Sequence, residues 1–151
     1  SVVRGNRVRH RAEGIYFCWG AQPGLYAKNV IEDCGYGMTL GHSDSDNLIR
    51  ENDIRRSGAA GIHFRGGNKA FAPHRNRLER NRIVDSGGET GVAIDINGET
   101  ESVTIINNEL RETRGPLSRM GIRIGAETRE IRCEDNQIQG FAIPISDLRD
   151  A

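Results

Sequence analysis

An asparagine recurs along this chain at intervals of 23 to 29 residues, at Asn6, Asn29, Asn52, Asn81, Asn108 and Asn136. Two residues after each stands an aliphatic side chain: Val8, Ile31, Ile54, Ile83, Leu110 and Ile138. Three residues before each runs a second, largely apolar lane: Val3, Tyr26, Ile49, Leu78, Ile105 and Cys133. Five repeats then carry a glycine followed by an apolar residue, in Gly14-Ile15, Gly37-Met38, Gly61-Ile62, Gly91-Val92 and Gly121-Ile122. Phe17, Leu40, Phe64, Ile94 and Ile124 come two positions later, and Ile143 and Ile145 are expected to fill this step in the shortened sixth repeat.

A period this short, with apolar residues alternating rather than at helical spacing, requires three short strands per repeat. A strand of three to five residues cannot bury a face alone. The repeats must therefore stack in parallel, about 4.8 Å apart, aliphatic on aliphatic. The recurrent Asn then forms an internal amide ladder, and it tolerates the left-handed backbone of a sharp corner. The expected fold is all-β: a parallel β-helix of about six rungs, one domain over residues 1–151. Apolar residues make up only 36% of the chain, too few for a compact helical or sandwich core, yet the patterning excludes disorder. The 21 basic residues balance 21 acidic ones with no long basic run, which argues against nucleic acid as a partner. No apolar stretch approaches the ~20 residues of a membrane-spanning helix. Cys18, Cys34 and Cys133 lack any CxxC or Cys/His ligand spacing, which argues against a disulfide framework or a structural zinc site.

If Ile62 and Phe64 point inward, alternation points His63 and Arg65 outward, followed by Ala93 and Asp95, then Arg123 and Gly125. His63, Arg65, Asp95 and Arg123 are expected to form one cluster spanning about 10 Å, with Tyr16 and Trp19 further along the same face. Such a strip suits an acidic sugar chain, whose rings stack on the aromatics while arginines bind its carboxylates. In β-elimination, Arg123 or Arg65 neutralises a uronate carboxylate, His63 takes the acidified proton, and Asp95 orients either partner. Hydrolysis needs two carboxylates at a set separation, and only Asp95 projects from this strand, so elimination or epimerisation is preferred. A solvated Arg–Asp ladder explains the same residues without any function.

Two insertions flank the cluster. The stretch Gly66 to Arg75 offers Lys69, Phe71 and His74 as contact residues, and the stretch Glu112 to Met120 enters the Arg123 strand. The turn from Gly41 to Asn47 offers Asp44, Asp46 and Asn47 as oxygen ligands for calcium, although a polar turn explains it equally well. His10 and His42 read as surface turn residues.

The segments NLIRENDIRRSGAAGIHF and SVTIINNELRE resemble the right-handed parallel β-helix repeats of the pectate-lyase-like superfamily, and the resemblance covers nearly the whole chain. It implies a substrate lying along the outer face of the strand that begins with Gly-Ile, a secreted, periplasmic or cell-surface location, and calcium as the ion related lyases often use. Lyases, hydrolases, epimerases, tailspikes and adhesins share this motif, so three readings stand. They are an enzyme acting on acidic polysaccharide, a non-catalytic glycan-binding or cell-surface module, and a purely architectural stack of rungs. Ser1-Val2-Val3 begins inside a strand, so either earlier rungs or another chain, a second copy included, is expected to cover the first rung. Pro144 and the polar tail of Asp147, Arg149 and Asp150 read as a finished edge.

Overall fold

The computed structural model describes residues 1–149, which form 18 strands and no helix. The first rung comprises β1 (Val2–Arg4), β2 (Arg7–Arg9) and β3 (Glu13–Tyr16), and the second β4 (Gly24–Ala27), β5 (Val30–Glu32) and β6 (Tyr36–Leu40). The third holds β7 (Asn47–Arg50), β8 (Asp53–Arg55) and β9 (Ala60–Phe64), the fourth β10 (Arg77–Glu79), β11 (Arg82–Val84) and β12 (Val92–Ile96). The fifth holds β13 (Thr104–Ile106), β14 (Glu109–Arg111) and β15 (Met120–Ile124), the sixth β16 (Arg132–Glu134), β17 (Gln137–Gln139) and β18 (Ile143–Asp147). Equivalent strands of successive rungs pair in parallel. Three six-stranded sheets result: A from β1, β4, β7, β10, β13 and β16; B from β2 onward; C from β3 onward. The chain is thus a parallel β-solenoid with three strands per rung, as the repeat requires. Asp150 lies outside the described residues.

The apolar lanes stack as their spacing predicts. Ile31, Ile54, Ile83 and Leu110 line sheet B; Ile49, Leu78 and Ile105 line sheet A; Met38, Ile62, Ile94 and Ile122 line sheet C, all fully buried. Burying one such side chain contributes about 1.5–3 kcal/mol, so a five-residue strand is held by the rungs above and below it. Val3, Val8 and Ile15 on the first rung, and Cys133 and Ile138 on the last, are only partly buried. In the sixth repeat Ile145 does pair with Ile122, but Ile143 lies beside Met120 and Asp147 takes the place beside Ile124.

The asparagine ladder runs unbroken. Asn6, Asn29, Asn52, Asn81 and Asn108 each donate from Nδ2 to the Oδ1 of the next, at 2.9–3.1 Å. The Nδ2 of Asn52, Asn81 and Asn108 also donates to a carbonyl of the rung before, so each amide ties three rungs together. The corner differs from expectation. The residue in the left-handed region is not the ladder Asn but the one before it: Gly5, Lys28, Glu51, Arg80, Asn107 and Asp135. Forcing an L-residue there costs about 1–2 kcal/mol. The bent backbone lets that residue's N–H reach a carbonyl of the next rung, as in Lys28 to Arg50 and Glu51 to Glu79.

One register assignment is also corrected. Ile62 pairs with Ile94 and Phe64 with Ile96. The glycine lane therefore runs through Gly14, Gly37, Gly61 and Gly121 with Ala93, not Gly91, on the fourth rung. A Cβ at Gly37 would come within 2.4 Å of the Gly61 carbonyl, which explains why the lane is glycine. A Cβ at Gly61 would likewise come within 2.6 Å of the Ala93 carbonyl.

Candidate functional site

The corrected register sets His63, Asp95 and Arg123 side by side on the outer face of β9, β12 and β15. Arg123 donates from Nε and Nη2 to the two Asp95 oxygens, both at 2.8 Å. His63 Nδ1 lies 3.2 Å from Asp95 Oδ2. A carboxylate only accepts, so Nδ1 carries the hydrogen; Nε2, which holds the lone pair in the neutral ring, has no protein partner among the described residues. Asp95 is only 4% exposed. Burial alone would raise its carboxyl, but hydrogen bonds from His63, Arg123 and Asn97 outweigh that and hold it at about 2. Asp95 is therefore a fixed anion that orients the imidazole. Tyr36 stacks on His63 with ring centroids 4.8 Å apart. A cleft of about 300 Å³ opens here, walled by Tyr36, Ala60, Gly88 and Thr90.

That wall is braced from outside. Arg119 donates to the carbonyls of Gly88 and Gly115, each at 2.7 Å, and Arg114 donates to that of Gly87. Both arginines also meet the buried Glu112 carboxylate. The second insertion thus holds the cleft's wall in place rather than forming it.

Arg65 stands apart from this cluster. Its side chain lies over Gly41, where a Cβ would come 3.2–3.3 Å from it. One end donates to the Tyr16 hydroxyl, and Nη2 lies 3.4 Å from His42 Nε2. Trp19 stacks on His42 at 4.5 Å, nearly parallel. A second cavity of about 400 Å³ is lined by Trp19, Gly41, His42, Arg65, Gly66 and Phe71. The residues expected as one cluster therefore line two neighbouring cavities on the face of sheet C. Asp95 faces His63, not Arg65, because the fourth rung is shifted by two residues against the glycine reading.

The other expected contact residues lie elsewhere. Lys69 pairs with Glu101 at 3.1 Å in a separate cleft with Glu99 and Arg129. His74 has both ring nitrogens occupied: Glu101 N–H donates to Nδ1, and Nε2 donates to the Lys69 carbonyl at 2.7 Å. It pins the insertion instead of facing a ligand. Asp44 is buried and accepts from the N–H groups of Ala21 and Gly41. Asp46 is gripped by Arg75, which holds its carboxyl below the usual range. No three His, Cys, Asp or Glu side chains converge on a metal site among the described residues, so calcium finds no support there. Sequence reasoning missed Tyr36 and the pairing of His42 with Trp19. It also missed a second short ladder, in which Asn76 Oδ1 accepts from the Asn47 N–H; both stand five residues before a ladder Asn, the one available signal.

The family described as Periplasmic copper-binding protein (NosD) matches residues 1–148. The chain belongs to the NosD family. Searches of curated proteins and of solved structures found no match. The β-helix repeats are thus those of NosD, and the pectate-lyase-like superfamily finds no support in these comparisons. Copper in proteins is held by thiolate, thioether and imidazole donors. In this NosD-family chain Met38 and Cys34 are sealed in the core. Burial pushes the Cys133 thiol up to about 11. His74 has both ring nitrogens occupied, and no group of three His, Cys, Asp or Glu forms around the His63 Nε2 among the described residues. No three such side chains converge on a copper centre among the described residues.

Proposed function

We propose that this NosD-family solenoid acts in the periplasm on an acidic polysaccharide lying across the outer face of sheet C, with His63 as the base. The supporting observation is the His63–Asp95 contact, with Asp95 held ionised and His63 lining a cleft. In a uronate, the hydrogen next to the carboxylate is acidic. His63 Nε2 takes that proton from C5, its electrons form the C4–C5 double bond, and the C4–O bond breaks with its pair leaving on oxygen, which water protonates. Epimerisation shares the first step and returns a proton to the opposite face. Arg123 serves Asp95 with two donors, so its role here is positioning. A non-catalytic binding face is the second reading, and the exposed rings of Trp19 and Phe71 favour it.

The test is ultraviolet absorbance of the new double bond with pectate, alginate and glycosaminoglycans. Elimination predicts a rise that falls 10²–10⁴-fold in His63→Ala with affinity kept. Exchange of solvent deuterium into the polymer without absorbance change would mean epimerisation. Binding with neither signal would leave the non-catalytic reading.

A further inference from the structure

The geometry points to an anionic-sugar subsite, separate from His63, in the cavity between Trp19, His42, Arg65 and Phe71, where Arg65 selects the ligand by its charge. This rests on the acidic-polysaccharide reading and assigns Arg65 to recognition rather than to proton transfer.

Charge balance is the first argument. Arg123 already uses Nε and Nη2 on Asp95, but Arg65 meets only neutral groups, the Tyr16 hydroxyl and the His42 ring. A guanidinium carries about five N–H donors, so these two contacts leave others free for a ligand. No acidic side chain lines the cavity. A half-buried cation without a carboxylate contrasts with the many arginines of sheets A and B that pair with Asp or Glu.

Preorganisation is the second. Gly41 leaves room for the Arg65 side chain to lie across it, and Tyr16 and His42 hold its tip. A cation fixed before binding loses little entropy when an anion arrives. Because His42 Nε2 accepts from Arg65, its hydrogen sits on Nδ1, which is buried and without a partner.

The third argument is the walls. Trp19 is 75% exposed and Phe71 56%, and one face of the indole is already fixed against His42. Flat apolar surface beside a planar guanidinium matches a pyranose ring bearing a carboxylate, and the guanidinium fork fits a carboxylate's two oxygens. Arg65 follows His63 by two residues, about 7 Å along the chain, so one oligosaccharide reaches both sites.

Trp19 is the only tryptophan in the chain, so its fluorescence reports on this cavity directly. We would titrate the protein with oligouronates, with neutral oligosaccharides of equal length, and with sulfated ones. A saturable change with oligouronate, weakened roughly tenfold or more in Arg65→Gln and partly restored in Arg65→Lys, is expected. Unchanged melting of both variants separates this from misfolding. Equal response to the neutral sugar, equal affinity in Arg65→Gln, or response to the sulfated sugar alone would overturn the assignment. Double-bond absorbance is followed in the same samples. A silent Trp19 with a His63-dependent rise overturns the subsite alone. A saturable, Arg65-dependent signal without a rise supports the subsite and removes elimination. Silence in both overturns both.

Discussion

On sheet B, the column Arg7, Val30, Asp53, Arg82, Glu109 runs down the solenoid beside a second column of Arg9, Glu32, Arg55, Val84, Arg111. Charges of opposite sign meet within and between rungs: Glu32 with Arg7 and Arg9, Asp53 with Arg55, Arg82 with Glu109. The arginines in these pairs remain 39–60% exposed against 36% for Arg123, and their carboxylates run from 8% for Glu32 through 26% for Asp53 to 37% for Glu109, against 5% for Asp95. On sheet C the same geometry lays down Tyr16, Thr39, His63, Asp95, Arg123 and Ser146. Only one carboxylate stands in this column, and it is almost fully buried. Stacking alone yields the first arrangement, a solvated ladder that keeps a parallel sheet's outer face wet. The second requires walls that exclude water, supplied by the turn at Gly88 and its Arg119 brace.

The sharpest way to break this contrast is to remove one carboxylate from each face. Asp95→Asn leaves His63 without an anion and Arg123 without its fork, and a cost of about 2 kcal/mol is expected in urea unfolding. Asp53→Asn, on the exposed face, should cost less than about 1 kcal/mol. Equal losses would mean that the two faces are one kind of surface.

Acid unfolding sharpens it next. Asp95 sits at about 2 in the folded protein against an ordinary 3.8. A depressed folded value means that the unfolded chain binds its proton first as pH falls. The stability from Asp95 is therefore complete above about pH 4 and lost progressively down toward about pH 2, amounting to about 2 kcal/mol. Asp95→Asn should flatten that limb of the stability curve. An unchanged limb in the variant would show that other carboxylates carry it.

The fold was legible because a solenoid repeats each physical demand six times. Every ladder Asn, and every aliphatic residue two positions later, repeats one contact with its equivalents on the neighbouring rungs. Legibility failed where a demand is met once. Ala93 stands in the glycine lane on the fourth rung, and that single exception displaced the expected register of Asp95 by two residues. The left-handed corner accepts Gly, Lys, Glu, Arg, Asn or Asp, so composition could not mark it. Tyr36 against His63, and Trp19 against His42, depend on how turns aim rings across rungs, which alternation within one strand does not encode.

The smallest effect is the exchange of arginine for lysine on the two faces. Arg123, itself 36% exposed, places two hydrogen bonds on an Asp95 carboxylate that is only 5% exposed. A lysine keeps the charge but offers a point contact, so Arg123→Lys should cost about 1 kcal/mol and loosen the His63 ring. Arg82, similarly exposed at 39%, touches Glu109 at 3.2 Å and Asp53 at 3.9 Å, carboxylates that are themselves 37% and 26% exposed. Lysine there keeps most of so diffuse an attraction, and the cost should stay under about 0.5 kcal/mol. Salt separates the two further, since exposed pairs are screened over about 10 Å at 0.1 M and buried ones much less. Added sodium chloride should therefore erase the Arg82→Lys difference and leave that of Arg123→Lys standing. If salt erases both, Asp95 is bathed by solvent like Asp53, and the sheet C column reverts to an ordinary ladder with no base to offer.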